Sequence, residues 1–176
     1  MEAGLRSLLP GLRLIADDLA VNAAEDAAAA GSPVSCRKGC GACCRQVAPV
    51  LPIEVPALAQ ALRAMGDEQR SVVVERARTA RSQAEAAGLG AALDACGGTT
   101  IASRYRLAAA WFSLGIDCPF LDDGACGIYA ERPLSCREYL VTSDPTHCGS
   151  ADPVNVQRVT LRGSASEAYK QAARTA

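Results

Sequence analysis

Nine cysteines in a chain of 176 residues are the residues here that could do chemistry, and eight of them fall into two fours. The first reads Cys36-Arg-Lys-Gly-Cys40-Gly-Ala-Cys43-Cys44, and the second comprises Cys118, Cys126, Cys136 and Cys148. Cys96 stands apart from both. Thiolates in fours are the usual requirement of tetrahedral zinc and of each cubane iron–sulfur cluster. Offsets of 0, 4, 7 and 8 bring the first four sulfurs near one face if the backbone coils helically. Gly39 and Gly41 allow a tight turn, and free amides there can donate to sulfur. Cys43 and Cys44 are adjacent, so on a helix their side chains diverge by about 100°. Such a pair suits two metals, or two irons of one multinuclear centre, better than one tetrahedral ion.

Arg37, Lys38, Arg45, Arg132 and Arg137 lie beside the cysteines and are candidates to offset the charge of a thiolate-bound metal. His147, the single histidine, precedes Cys148 and is expected to be an exposed loop residue rather than a ligand. Cys96 has no companion and is expected to be an incidental thiol. Pro119 and Pro133 should stiffen the loops presenting Cys118 and Cys136. Phe120, Leu121, Ile128 and Tyr129 are expected to shield a metal from water.

The pattern resembles a known family. Cys36-x3-Cys40-x2-Cys43-Cys44, then Cys118-Pro119-Phe120-Leu121, Cys126-Gly127-Ile128-Tyr129, Arg132-Pro133 and Cys136-Arg137 together look like the YkgJ-type cysteine-cluster family, a zinc- or iron-chelating domain. The resemblance runs over about residues 34–148. It implies that Cys36, Cys40, Cys43, Cys44, Cys118, Cys126, Cys136 and Cys148 are the ligands, with Tyr129, Arg132 and Arg137 around them. Flagellin lysine N-methylases contain a similar cluster associated with an iron–sulfur centre. That favours an iron–sulfur cofactor of the 4Fe–4S type, with zinc as the alternative. A metal or cluster delivery system and a redox partner are the partners such a cofactor implies.

Three classes of function stay open: an iron–sulfur protein with a redox, iron-handling or catalytic role, a structural zinc protein, and an enzyme using S-adenosylmethionine. The triad Cys36-x3-Cys40-x2-Cys43 matches the last class literally. However, Cys44 would crowd an open iron, and the sequence lacks strands for the barrel of those enzymes. There is no phosphate-binding loop and no Ser/His/Asp constellation.

The surrounding chain must supply the scaffold. Hydrophobic residues are 49% but aromatics only 4%, so the core is thin and a metal would add to its stability. With 18 basic and 19 acidic residues the net charge is −1, and nothing in that balance points to a nucleic-acid groove or an anionic membrane surface. Glu2, Asp17 and Asp18 do not fit an export signal, so the expected location is the cytoplasm, where cysteines stay reduced.

The spacing predicts a mainly α, small helical domain organised around a cysteine-rich metal centre, with few or no β-strands. Residues 1–30 read as an N-terminal packing helix starting after Pro10 and ended by Gly31. Residues 31–150 read as the cysteine-cluster domain, with a helical insertion at about 53–114. Within it, helices are expected at 53–65, at 68–87 with Asp67 as N-cap, and at 101–114, with a loop at 88–100. Residues 151–176 read as a C-terminal helix occupying most of 153–173.

Overall fold

The computed structural model describes residues 7–95, 100–149 and 153–175. Cys96 and residues 97–99 of the expected loop lie outside them.

Helix α1 spans Leu9–Ala29, with Pro10 in its first turn, where a missing N–H costs nothing. It ends as Gly31 swings to φ +79° and Ser32 N–H returns to the Ala27 carbonyl at 2.9 Å. Leu9, Ala16 and Ala23, seven residues apart, form its buried stripe. Helix α2 (Val55–Ala64) follows a 3-10 turn at Pro52–Glu54, and α3 covers Asp67–Ala86. Asp67 is not the N-cap of α3: Gly66 is, with no side-chain cap bond. Asp67 instead sits in the first turn, where its charge suits the helix dipole and pairs with Arg70.

A short helix α4 (Gly90–Asp94) forms inside the expected loop, its Asp94 held to Arg81 at 2.9 Å. Helix α5 spans Ile101–Ser113, capped by the Thr100 hydroxyl, which accepts from Ser103 N–H at 3.2 Å. Strands β1 (Leu121–Asp122) and β2 (Ala125–Cys126) pair antiparallel around Asp123-Gly124. Both turn residues have positive φ, +44° and +74°, the type I′ geometry that Asp-Gly favours. Helix α6 is one turn, Leu134–Arg137, and α7 is Ala165–Thr175. The fold is mainly α, with a single two-stranded sheet among the described residues.

The C-terminal helix is shorter than expected. Its first half is replaced by a 3-10 turn at Pro153–Asn155 and an extended stretch whose backbone bonds outward. Thr142 N–H donates to Gln157 O and Val159 N–H to Leu140 O, each at 2.9 Å, around a bridge between Val141 and Arg158. On the other side Ser35 N–H donates to Val141 O at 2.9 Å. Those carbonyls and amides are therefore satisfied across the chain rather than along a helix.

The core gathers Leu9, Ala16, Leu51, Ile53, Leu134, Ala165 and Tyr169 where α1, α6 and α7 meet. Leu134 at its centre is fully buried. Two buried carboxylates lock the junction. Glu54 accepts from the amides of Leu51 (2.8 Å) and Leu134 (2.7 Å), so it caps α6 from eighty residues away. Glu138 accepts from the Ser164 hydroxyl (2.9 Å), the Ser166 amide (3.1 Å) and the Ser166 hydroxyl (2.7 Å), so it caps α7. No described helix is long and apolar enough to cross a membrane.

Candidate metal centre

The first cysteine block is not a helix. Gly39 turns the chain at φ +89°, and only Ala42–Arg45 coils, as a 3-10 turn. That turn packs against a second one, Pro145–Gly149, which carries the buried Cys148. It also leans on the β1–β2 hairpin. A Cβ on Gly41 would overlap the Gly124 carbonyl oxygen and the Leu121 side chain, so glycine is required there for close approach. The contact is continued by Cys118 N–H, which donates to Cys44 O at 2.6 Å, and by Leu121 N–H to Cys118 O at 2.9 Å. Cys36 is held by the Ser35–Val141 pairing, and Val141 N–H points at its sulfur, at 3.4 Å. Helix α6 supplies Cys136 just after Leu134, with Cys136 N–H bonded to Pro133 O at 3.0 Å.

Five of the cysteines, Cys36, Cys40, Cys43, Cys136 and Cys148, line one small chamber of about 110 Å³. All eight are free thiols, Cys148 buried and the others partly so. Their mutual electrostatic influence runs across the two blocks. Cys148 feels Cys43, Cys36 and Cys40. Cys44 feels Cys43, Cys118 and Cys126, and Cys136 feels Cys43, Cys118 and Cys126. The chamber therefore brings Cys136 and Cys148 of the second block to Cys36, Cys40 and Cys43 of the first, and Cys43 adjoins sulfurs of both.

Burial pushes the Cys36, Cys118 and Cys148 thiols up, and Cys136 up to about 12. Neighbouring thiolates add to each rise by repulsion. Cys43 is the exception, drawn down to about 7 because the Cys44 thiol donates to it, with further help from Arg132. Cys44, as the donor, is pushed well above the ordinary thiol range. Such an assembly of sulfurs resists ionisation unless a cation compensates it, which is the condition a soft metal meets. Eight thiols without a disulfide fit a thiophilic metal in donor chemistry. Among the described residues no group of three or more His, Cys, Asp or Glu side chains is placed to hold a metal ion.

The flanking residues divide by role. Arg132 stacks on the Tyr129 ring at 4.0 Å and its charge acts on Cys36 and Cys43. Both residues line the chamber. Arg137, next to Cys136, is turned the other way. Its guanidinium is buried, grips Asp17 of α1 at 2.7 and 2.9 Å, and donates to the carbonyls of Arg132 (3.0 Å) and Ala130. Arg45 pairs with Asp117 at 3.0 Å. Of the five flanking cations, Arg37 and Arg132 line the chamber. Phe120 shares grooves with Val73 of α3, so it ties the Cys118 loop to that helix. Ile128 is buried. His147 sits half-buried in the Cys148 turn.

Tyr139 went unnoticed in the sequence. It lines the chamber, its hydroxyl accepts from Gln46 Nε2 at 3.1 Å, and it approaches Cys148. Its place three residues after Cys136 was the available signal.

A family model described as "Putative zinc- or iron-chelating domain", CxxCxxCC, matches residues 35–160. No curated protein and no solved structure matches the chain. The match spans well over half of the sequence and every cysteine of the two fours, and the chain belongs to this zinc- or iron-chelating cysteine-cluster family.

Proposed function

We propose that the protein carries a multinuclear iron centre, an iron–sulfur cluster of the 4Fe–4S type, and serves in redox or iron-handling chemistry in the cytoplasm. Cys36, Cys40, Cys43, Cys44, Cys118, Cys126, Cys136 and Cys148 are its ligands in this reading. The observation that carries it is the adjacent pair: Cys44 neighbours Cys118 and Cys126, while Cys43 neighbours sulfurs of both groups. One ion gains little from a ligand shared between two groups of sulfurs, whereas a multinuclear centre uses it. Bound iron would supply electron transfer or a Lewis-acidic site. The chain's part is to hold the sulfurs, to place Arg132 against their charge, and to exclude water with Ile128 and Tyr129.

A structural zinc protein is the second reading. A chamber of only about 110 Å³ lined by five of the sulfurs suits a single ion. Visible absorption and low-temperature electron paramagnetic resonance on anaerobically purified protein separate the two. Broad brown absorption that bleaches with dithionite, with a new paramagnetic signal, is expected. A colourless, spectroscopically silent protein supports zinc.

A further inference from the structure

Outside the chamber, on the far side of Cys43, Cys136 and Tyr139, lies an open groove of about 410 Å³, a volume typical of small-ligand sites. Those three residues line both spaces, so they form the wall between the sulfurs and the outside. Val47, Pro49 and Leu51 give the groove an apolar side.

Its charges sort by whether they are already spent. Glu138 has its carboxylate oxygens engaged by three neutral donors of the α7 cap, which leave its charge in place for the arginines of the groove to outweigh. Glu167 and Lys170 pair with each other at 2.7 Å. Arg104 and Arg158 remain. Among the described residues neither forms an ion pair, although Arg104 exerts a secondary pull on Glu167. Arg158 is nevertheless fixed in place. Its backbone is bridged to Val141, and its guanidinium stacks on the Tyr139 ring at 4.8 Å. A guanidinium held by stacking keeps its N–H fork free, and that fork matches the oxygens of a carboxylate or phosphate.

We propose that this groove is a binding site for a small oxyanion, carboxylate or phosphate, gripped by Arg158 and Arg104 against the outer wall of the cysteine cluster. The site depends on the groove's own residues and not on which metal the sulfurs hold. An anion here would lie beside Cys43 and Cys136, the position of a substrate or an exchangeable metal chelate relative to the centre.

The test is calorimetric titration of the full chain, metal-loaded and metal-free, with inorganic phosphate and separately with citrate. One saturable site for at least one of the two anions is expected. Arg158→Ala should weaken it by about tenfold or more, and Arg104→Ala should weaken it less, as losses of charge-assisted hydrogen bonds. Arg78→Ala, an exposed cation on α3 paired with Glu75, should leave it unchanged. Arg158 and Arg104 are both exposed, and thermal melting of each variant checks its folding; either one, if folded, decides the outcome. No saturable heat with either anion, or equal weakening by Arg78→Ala, overturns the site. A protein that retains no metal yet binds the anion in this residue-dependent way keeps the groove and removes the metal reading.

Discussion

Cys43 and Cys44 differ by one position in the chain and by which sulfurs surround them. Because Cys43 adjoins sulfurs of both blocks and Cys44 is hydrogen-bonded to it, replacing either with serine should remove metal from more than its own neighbours. Serine in place of any of the eight is expected to lower metal content and melting temperature, whereas Cys96→Ser should leave both close to the parent values. Elemental analysis of the nine variants checks this, and equal metal loss from Cys96→Ser would remove the ligand assignment. Gly41 makes the complementary prediction, about backbone. Gly41→Ala forces a Cβ into the Gly124 carbonyl, which cannot rotate away, and should cost about 1–3 kcal/mol and loosen metal binding. Gly11→Ala, where a Cβ meets nothing and the helix continues, should stabilise by up to about 1 kcal/mol. Urea melts of the two variants should move in opposite directions.

At the scale of elements, α6 is the hinge of the architecture, although it is a single turn. Leu134 plugs the core, Arg137 reaches α1, Glu138 caps α7, and Cys136 faces the chamber. Arg137→Ala should therefore cost about 2–3 kcal/mol, less than a fully buried pair because Asp17 is 45% exposed, and still leave metal stoichiometry unchanged. A variant that folds normally but loses metal would place Arg137 in the site instead. Glu138→Ala strands the Ser166 amide and should cost about 1–3 kcal/mol, read as a lower melting temperature.

This is also where the sequence was least legible. The long helices could be read because their patterns are local: Pro10 and Gly31 bracket α1, and Gly88 ends α3. The missing half of the C-terminal helix could not, because 157–159 bonds to 140–142, a pairing no window of sequence contains. The hairpin escaped because its strands are two residues each, too short for alternation, although Asp123-Gly124 marked it. For the site, residue types and spacing single out the eight cysteines as the candidates. Which of them are neighbours depends on how one 3-10 turn packs on another, and that brings Cys148 into the chamber lined by Cys36, Cys40 and Cys43.

At the scale of the whole molecule, the apolar core and the cysteine cluster share α6 but little else. The core is built on α1, α6 and α7, while the sulfurs are borne by turns, a two-residue-strand hairpin and that one helical turn. Turns of this kind have scant hydrophobic burial of their own, so metal binding should form part of the folding free energy. Chelation is expected to lower the melting temperature and broaden the transition, as followed by circular dichroism. A metal-free protein with full helical signal and an unchanged cooperative melt would mean that the turns are held by packing alone. The central claim is that these eight sulfurs hold a multinuclear iron centre. Its most direct measurement is the content of iron, zinc and acid-labile sulfide in protein purified anaerobically from iron-replete cells. The account predicts several irons per chain with matching sulfide and little zinc; stoichiometric zinc with no sulfide would contradict it.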